Sequence, residues 1–202
     1  VDIEKELSVI VIKNESGEMQ VFPTVELVFD PIYNLVDYLI SPASISDEQD
    51  KTAKDLALKV CKSLYSEGIF AIELFLSKQG EILVNETAPR THNSGHHTIE
   101  SCASSQFDQQ LRALLNLPLG NTELRKKAAM VNIVGEENFS GNVIYKGMEK
   151  VLALTDVYVH LYGKAMTKPG RKMGHITILG KNETEIKEKI DFIKKHFMIF
   201  NG

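Results

Sequence analysis

Two acids set in strand-like surroundings are the first residues that could do chemistry. Glu73 lies inside Ile69-Phe-Ala-Ile-Glu-Leu-Phe-Leu76, and Glu86 closes Glu81-Ile-Leu-Val-Asn-Glu86, with Ser77-Lys-Gln-Gly80 as a turn between them. An unpaired carboxylate buried among apolar side chains is expensive, so acids in such strands require a cation or solvent. An even hairpin loop pairs residue 76 with 81 and 73 with 84. It sets Glu86 one diagonal step from Glu73 on the same face, about 7–8 Å away. An odd loop puts the two on opposite faces. Two converging carboxylates suit Mg²⁺, a hard cation that shares its shell with substrate phosphates. On an open sheet face they are two solvated acids.

The loop that follows reads Asn85-Glu-Thr-Ala-Pro-Arg90-Thr-His92-Asn93-Ser-Gly-His96-His97-Thr98. Arg90 offers a planar fork for a carboxylate or phosphate, and His92 can move a proton near neutral pH. His92, His96 and His97 also permit a transition-metal site, although their spacing matches no standard zinc pattern and Cys102 has no partner at ligand spacing. Cys102 as a nucleophile lacks any neighbour that would lower its pKa. A third cluster is Tyr162-Gly-Lys164-Ala-Met-Thr-Lys-Pro-Gly170-Arg171-Lys172-Met-Gly174-His175, with four cations within nine residues. Backbone amides and a guanidinium converging in a tight glycine-flanked loop suit a phosphate, whereas a basic turn without a ligand is a solvated turn. The chain has neither a Walker loop nor a G-x-G-x-x-G string, so a nucleotide site needs another scaffold.

The elements that position these clusters follow from periodicity. Glu6-Leu-Ser-Val-Ile-Val-Ile12, the turn Asn14-Glu-Ser-Gly17 and an extended run from Met19 to Phe29, ending at Pro31, read as a hairpin. Ala53, Leu56, Ala57, Val60, Cys61 and Leu64 stripe a helix over 46–67, with Ser46 and Gln49 as a capping box and Gly68 as the stop. A hairpin carries Glu73 and Glu86. A helix near 104–116 ends before Pro118, short strands fall at 128–135, 157–162 and 175–179, and a last helix from Asn182 stripes Ile186, Ile190, Ile193 and Phe197. The class is α+β with antiparallel hairpins predominating. A break in 117–127 divides the chain into domains of 1–119 and 120–202.

Composition narrows the function. With 202 residues, 43% hydrophobic and 25% charged, the chain is an ordinary globular one. Lys and Arg total 23 against 27 acids, a net charge of −4 that gives no reason for a nucleic-acid partner. No run reaches the roughly 18 apolar residues of a membrane span. Cys61 and Cys102 are too few for a disulfide framework, which points to reducing cytoplasm. The chain opens at Val1, almost directly on a strand, as if cut from something longer.

Taken in order, E-L-F, N-E-T-A-P-R-T-H-N-S-G-H, S-Q-F-D-Q-Q-L-R-A-L-L-N-L-P-L-G, A-M-V-N-I-V-G, Y-G-K and P-G-R-K-M-G-H resemble one family over about residues 1–180. It is the 5-carboxyaminoimidazole ribonucleotide synthase family of ATP-grasp ligases, the ATPase subunit of phosphoribosylaminoimidazole carboxylase in purine biosynthesis. The resemblance implies the second half of an ATP-grasp domain, an antiparallel sheet with helices, followed by a small β-rich C-terminal domain. It implies use of ATP and bicarbonate to form carboxyphosphate, which carboxylates 5-aminoimidazole ribonucleotide. Glu73 and Glu86 would then ligate Mg²⁺; Glu6, Asn85 and Glu86 would contact ATP. Arg90, His92 and Lys164 would be catalytic, and Asn93, Ser94, Lys164, Arg171 and Lys172 would bind substrate.

Two positions depart from the family pattern. Phe29 stands where the family usually has an ATP-contacting histidine, and His97 replaces a tryptophan, a change expected to be tolerated at a loop edge. The family's preceding domain and first ATP-grasp half are not represented, so little or no ligase activity is expected of this chain by itself. Homodimerisation is implied as well. The competing expectations are a noncatalytic anion-binding or assembly module with an ATP-grasp-like fold, and a histidine-loop metalloprotein.

Overall fold

The computed structural model describes residues 1–30, 35–137 and 140–201. The chain forms two compact units, Val1–Leu27 with Leu39–Arg125, and Val28–Tyr38 with Lys126–Gly202. Their extents thus differ from the expected 1–119 and 120–202: the division falls at 125/126, and residues 28–38 group with the second unit. Pro31 lies outside the described residues.

In the first unit, β1 (Ile3–Lys13) is central. It pairs antiparallel with β2 (Met19–Val21), with β3 (Val25–Phe29) and, along nearly its whole length, with β5 (Gly68–Ser77). The run expected to be continuous from Met19 to Phe29 is therefore two strands, interrupted around Pro23, which has no N–H to give to a ladder. β4 (Val36–Ser41), whose first three residues group with the second unit, leads to α1 (Asp47–Ser63). Ser46 caps α1 as read, its hydroxyl accepting from Gln49 N while the Gln49 side chain accepts from Ser46 N. The helix stops at Ser63, four residues before the expected end, because Leu64 turns extended; Gly68 instead begins β5.

β5 and β6 (Ile82–Ala88) form the second hairpin. Strand alternation sends Leu7, Val9 and Val11 with Phe70, Ile72 and Leu74 to one face, where Ala53, Ala57 and Cys61 of α1 bury them. On the opposite face Ile10, Ile12, Ile69, Ala71 and Ala88 pack with Cys102 and with Ala113 of α3 (Gln106–Leu114). Between β6 and α3 lie a 3₁₀ turn, Asn93–Gly95, and α2 (Thr98–Ser101). Fully burying one such aliphatic side chain is worth roughly 1.5–3 kcal/mol.

The second unit holds β7 (Lys127–Val134), β8 (Gly141–Lys146), α4 (Met148–Leu152), β9 (Val157–Leu161), β10 (Met166–Thr167), β11 (Lys172–Gly180), α5 (Glu183–His196) and β12 (Met198–Asn201). β11 pairs antiparallel with β7 and β9, and β8 with β10 and β12. Ile186, Ile190 and Ile193, the predicted stripe of α5, pack with Val131, Ile133, Ile176 and Ile178. Of these elements β8, α4, β10 and β12 went unread in the sequence. Mixed α+β architecture with antiparallel sheets holds for both units.

Candidate functional site

The hairpin that carries the two acids closes on an odd loop: Ser77 N–H donates to Glu81 O (2.9 Å), and Leu76 pairs with Ile82, Phe75 with Leu83 and Leu74 with Val84. That register is not the even one expected, and continued unchanged it would send Glu86 to the face away from Glu73. A β-bulge prevents this. The register shifts between Glu73 and Leu74, Asn85 is the extra residue, and Glu86 falls directly opposite Glu73. The acids therefore share a face as immediate cross-strand neighbours, closer than the diagonal arrangement.

One row crosses the sheet here: Ser8 on β1, Glu73 on β5 and Glu86 on β6. Glu6, two residues before Ser8, shares the face and pairs with Phe75. This is the face that α3 covers at its apolar end; the polar row occupies the remainder. Like charges directly opposite are destabilising unless something positive intervenes. Burial raises the Glu6 carboxyl above its ordinary pKa.

The loop 92–97 packs against β1 at close range. A Cβ on Gly95 would lie 2.3 Å from Ile10 Cδ1 and 2.6 Å from Gln106 Oε1, so any larger residue here would force those side chains to shift. Gln106, fully buried at the start of α3, clamps the loop: its Oε1 accepts from His92 N (2.9 Å) and its Nε2 donates to His92 O (2.9 Å). His92 is thereby held with Nε2 3.7 Å from Glu73 Oε1. Ser94, expected on the substrate, is 2% exposed, with its hydroxyl 2.9 Å from both His92 Nδ1 and Ser8 Oγ. Arg90 is exposed, with Nη1 donating to Thr91 O (3.1 Å); Asn85 and Glu86 are exposed and Asn93 is half-buried.

The histidine-metal alternative finds no support in this geometry. His96 Nδ1 accepts from Gln106 Nε2 (2.9 Å) and its ring stacks on Phe107. His97 is not at a loop edge: it is 1% exposed, Nδ1 lies 2.7 Å from Ser101 Oγ, and burial, with a contribution from His96, lowers its pKa to about 3. Among the described residues no three His, Cys, Asp or Glu side chains group to hold a metal ion. Cys102 is buried, which raises its thiol to about 11 despite a bond from Ser101, so it is no nucleophile.

The basic cluster belongs to the second unit. Lys164 Nζ donates to Lys172 O (2.6 Å) and sits 5.5 Å above the Tyr162 ring. Arg171 Nη1 donates to Met166 O (3.0 Å), and Arg171 N closes a turn onto Lys168 O (3.0 Å) through Gly170 at φ +70°. Behind them Tyr162 Oη lies 3.0 Å from His175 Nδ1, and His175 stacks on His160. Glu6, Glu73, Asn85, Glu86, Arg90, His92, Asn93 and Ser94 thus gather in one unit, and Lys164, Arg171 and Lys172 in the other. Sequence reasoning missed Ser8, Gln106 and Tyr162 as supports; a serine in an apolar strand and a glutamine in a first helical turn carry no signal of their own.

Comparison with known proteins identifies the family. The model of the ATP-grasp domain matches residues 1–107, and that of the phosphoribosylaminoimidazole carboxylase C-terminal domain matches residues 128–189. The N5-carboxyaminoimidazole ribonucleotide synthase of Bacillus subtilis is 42% identical over 94% of this chain and 48% of its own length. The chloroplastic phosphoribosylaminoimidazole carboxylase of Vigna aconitifolia is 42% identical over 92% of this chain and 33% of its own. The structure of N5-carboxyaminoimidazole ribonucleotide synthetase from Thermotoga maritima is 48% identical, with a TM-score of 0.93 over 100% of this chain and 54% of that one. That from Aspergillus clavatus, in complex with ADP and 5-aminoimidazole ribonucleotide, is 36% identical, with a TM-score of 0.86 over 96% and 51%. The chain spans a third to about half of the length of these relatives. It belongs to the ATP-grasp family, and its second part is similar to the phosphoribosylaminoimidazole carboxylase C-terminal domain.

Proposed function

We propose that these 202 residues supply the metal-, bicarbonate- and ribonucleotide-binding part of an ATP-dependent carboxylation of 5-aminoimidazole ribonucleotide in purine biosynthesis. The observation that carries this reading is the register of Glu73 against Glu86 with His92 Nε2 at 3.7 Å. Two hard oxygen donors placed opposite each other suit Mg²⁺, and a divalent cation relieves their mutual repulsion; bound there, it would neutralise phosphoryl oxygens of ATP. Glu6, desolvated, is a strong acceptor for ribose hydroxyls, and Asn85 and Glu86 face the nucleotide. Arg90, His92 and Asn93 hold bicarbonate and then carboxyphosphate, a labile anion that survives only where cations surround it and water is excluded. Lys164, Arg171 and Lys172 take the ribonucleotide phosphate. The relatives named above as such synthases, and the ribonucleotide-bound fungal structure, support the substrate.

The free buried thiols Cys61 and Cys102 support a reducing compartment, the cytoplasm. Homodimerisation is carried over from the family, and size-exclusion chromatography with light scattering tests it. Calorimetric titration with 5-aminoimidazole ribonucleotide and with Mg²⁺-ATP tests the reading as a whole. Ribonucleotide binds, and Arg171→Ala weakens it about ten- to a hundredfold, the worth of one charge-assisted bond. Turnover requires the amino-terminal half of a relative in trans. Equal affinity in wild type and Arg171→Ala overturns the phosphate assignment. Binding without any turnover in the mixture favours the noncatalytic module.

A further inference from the structure

Ser8 lies in mid-strand on β1, directly opposite Glu73, and is 1% exposed. Its same-face neighbours along β1 are Glu6 and Ile10, so strand packing by itself does not ask for a hydroxyl here. Ser8 Oγ is 2.9 Å from Ser94 Oγ, which is 2.9 Å from His92 Nδ1. The backbone N–H of Ser94 also donates to that nitrogen, at 3.4 Å. An amide N–H can only donate, so Nδ1 must present its lone pair, and a neutral ring then keeps its proton on Nε2. Ser94 Oγ–H donates to Nδ1 beside the amide, and Ser8 Oγ–H donates to Ser94 Oγ. One amide fixes the direction of the whole chain. Ser8 keeps the Ser94 hydroxyl turned so that it donates to Nδ1; rotated away, that hydroxyl would leave Nδ1 only the longer amide contact at 3.4 Å.

We infer that Ser8 is a positioning residue which, through Ser94, holds His92 as the tautomer with its proton on Nε2, turned toward Glu73. Its purpose rests on the bicarbonate-site reading above; the tautomer does not. The carboxylation then meets an imidazole whose N–H already points into the row of acids, where it can donate to an anion held beside Glu73.

The test uses the ¹⁵N-labelled 202-residue chain and two-bond ¹H–¹⁵N correlation of its imidazoles, in which the two tautomers give distinct patterns. Wild type shows a single Nε2–H pattern for His92. Ser8→Ala and Ser94→Ala lose it for a mixed pattern with averaged nitrogen shifts, and Ser8→Thr restores it. The buried His97 signal, unchanged throughout, reports an intact fold. A His92 proton on Nδ1 in wild type, or a Ser8→Ala spectrum identical to wild type, overturns the inference. Titration with sodium bicarbonate separates the two readings. A wild-type His92 shift supports the anion site, and no shift overturns that site while leaving the tautomer result standing.

Discussion

Replacing Gly95 with alanine should loosen the loop that carries His92, and the size of the effect follows from three contacts. The new Cβ would meet Ile10 Cδ1 at 2.3 Å, Gln106 Oε1 at 2.6 Å and Gln106 Cδ at 2.7 Å. Carbon atoms rest about 3.5–4.0 Å apart, so Ile10 must retreat by more than about 1 Å inside a packed core. Overpacking of this kind costs about 1–3 kcal/mol. Gln106 must shift as well, and it holds both the N–H and the C=O of His92. Leaving one buried polar group unpaired costs about 1–3 kcal/mol more. The total, about 2–6 kcal/mol, lowers the urea midpoint by about 0.7 M or more at a slope of roughly 1–3 kcal/mol/M. A double-mutant cycle gives the sharper result. Ile10→Val alone costs about 0.5–1.5 kcal/mol. In the Gly95→Ala background it removes the clashing Cδ1 and should cost nothing or stabilise. Additivity to within about 0.5 kcal/mol refutes the argument, because residues in contact must couple.

Stability also depends on pH through His97. Its folded pKa, about 3, lies below the ordinary value because burial disfavours the charged ring, so the unfolded chain binds a proton that the folded one refuses. The contribution is fully present above pH 6.5 and is lost as pH falls toward 3, with a slope approaching about 1.4 kcal/mol per pH unit. His97→Asn should flatten that slope between pH 6 and 4 in urea titrations, and an unchanged slope would exclude His97 as its source. Cys102, with its thiol raised to about 11 by burial, should resist iodoacetamide at pH 8 in the native chain and react readily in 6 M urea, read by mass spectrometry.

Much of the architecture could be read from residue spacing, and the exceptions have physical causes. α1 and α5 were legible because their apolar stripes recur at helical steps and because Ser46 and Asn182 cap them. Met166 and Met198 belong to strands of two and four residues, too short for alternation to stand out, whereas Gly141–Lys146 and Val36–Ser41, six residues each and closed by Gly147 and Pro42, carried a signal that went unread. The acids of the site were legible because carboxylates in apolar strands are anomalous. Their register was not, since a bulge leaves no mark in composition. His97 looked like loop chemistry and is core, because a histidine's polarity does not tell whether its partner is solvent or Ser101. Ser8 and Gln106 act through hydrogen bonds to residues 86 and 14 positions away, which no local pattern records.

The bulge at Asn85 divides β6 into two segments of independent phase. Leu83 and Glu86 face the same way although three positions apart, and the segment ending at Ala88 is anchored in the core while the other follows the turn. Length changes in the turn at 78–80 should therefore be absorbed upstream of the extra residue, leaving Glu86 facing Glu73. Deleting Asn85 itself has no such buffer: it would invert either the acid or the entire outer half of the strand. What keeps these two carboxylates face to face is parity, a property of residue count that no substitution of side chains at position 85 would disturb.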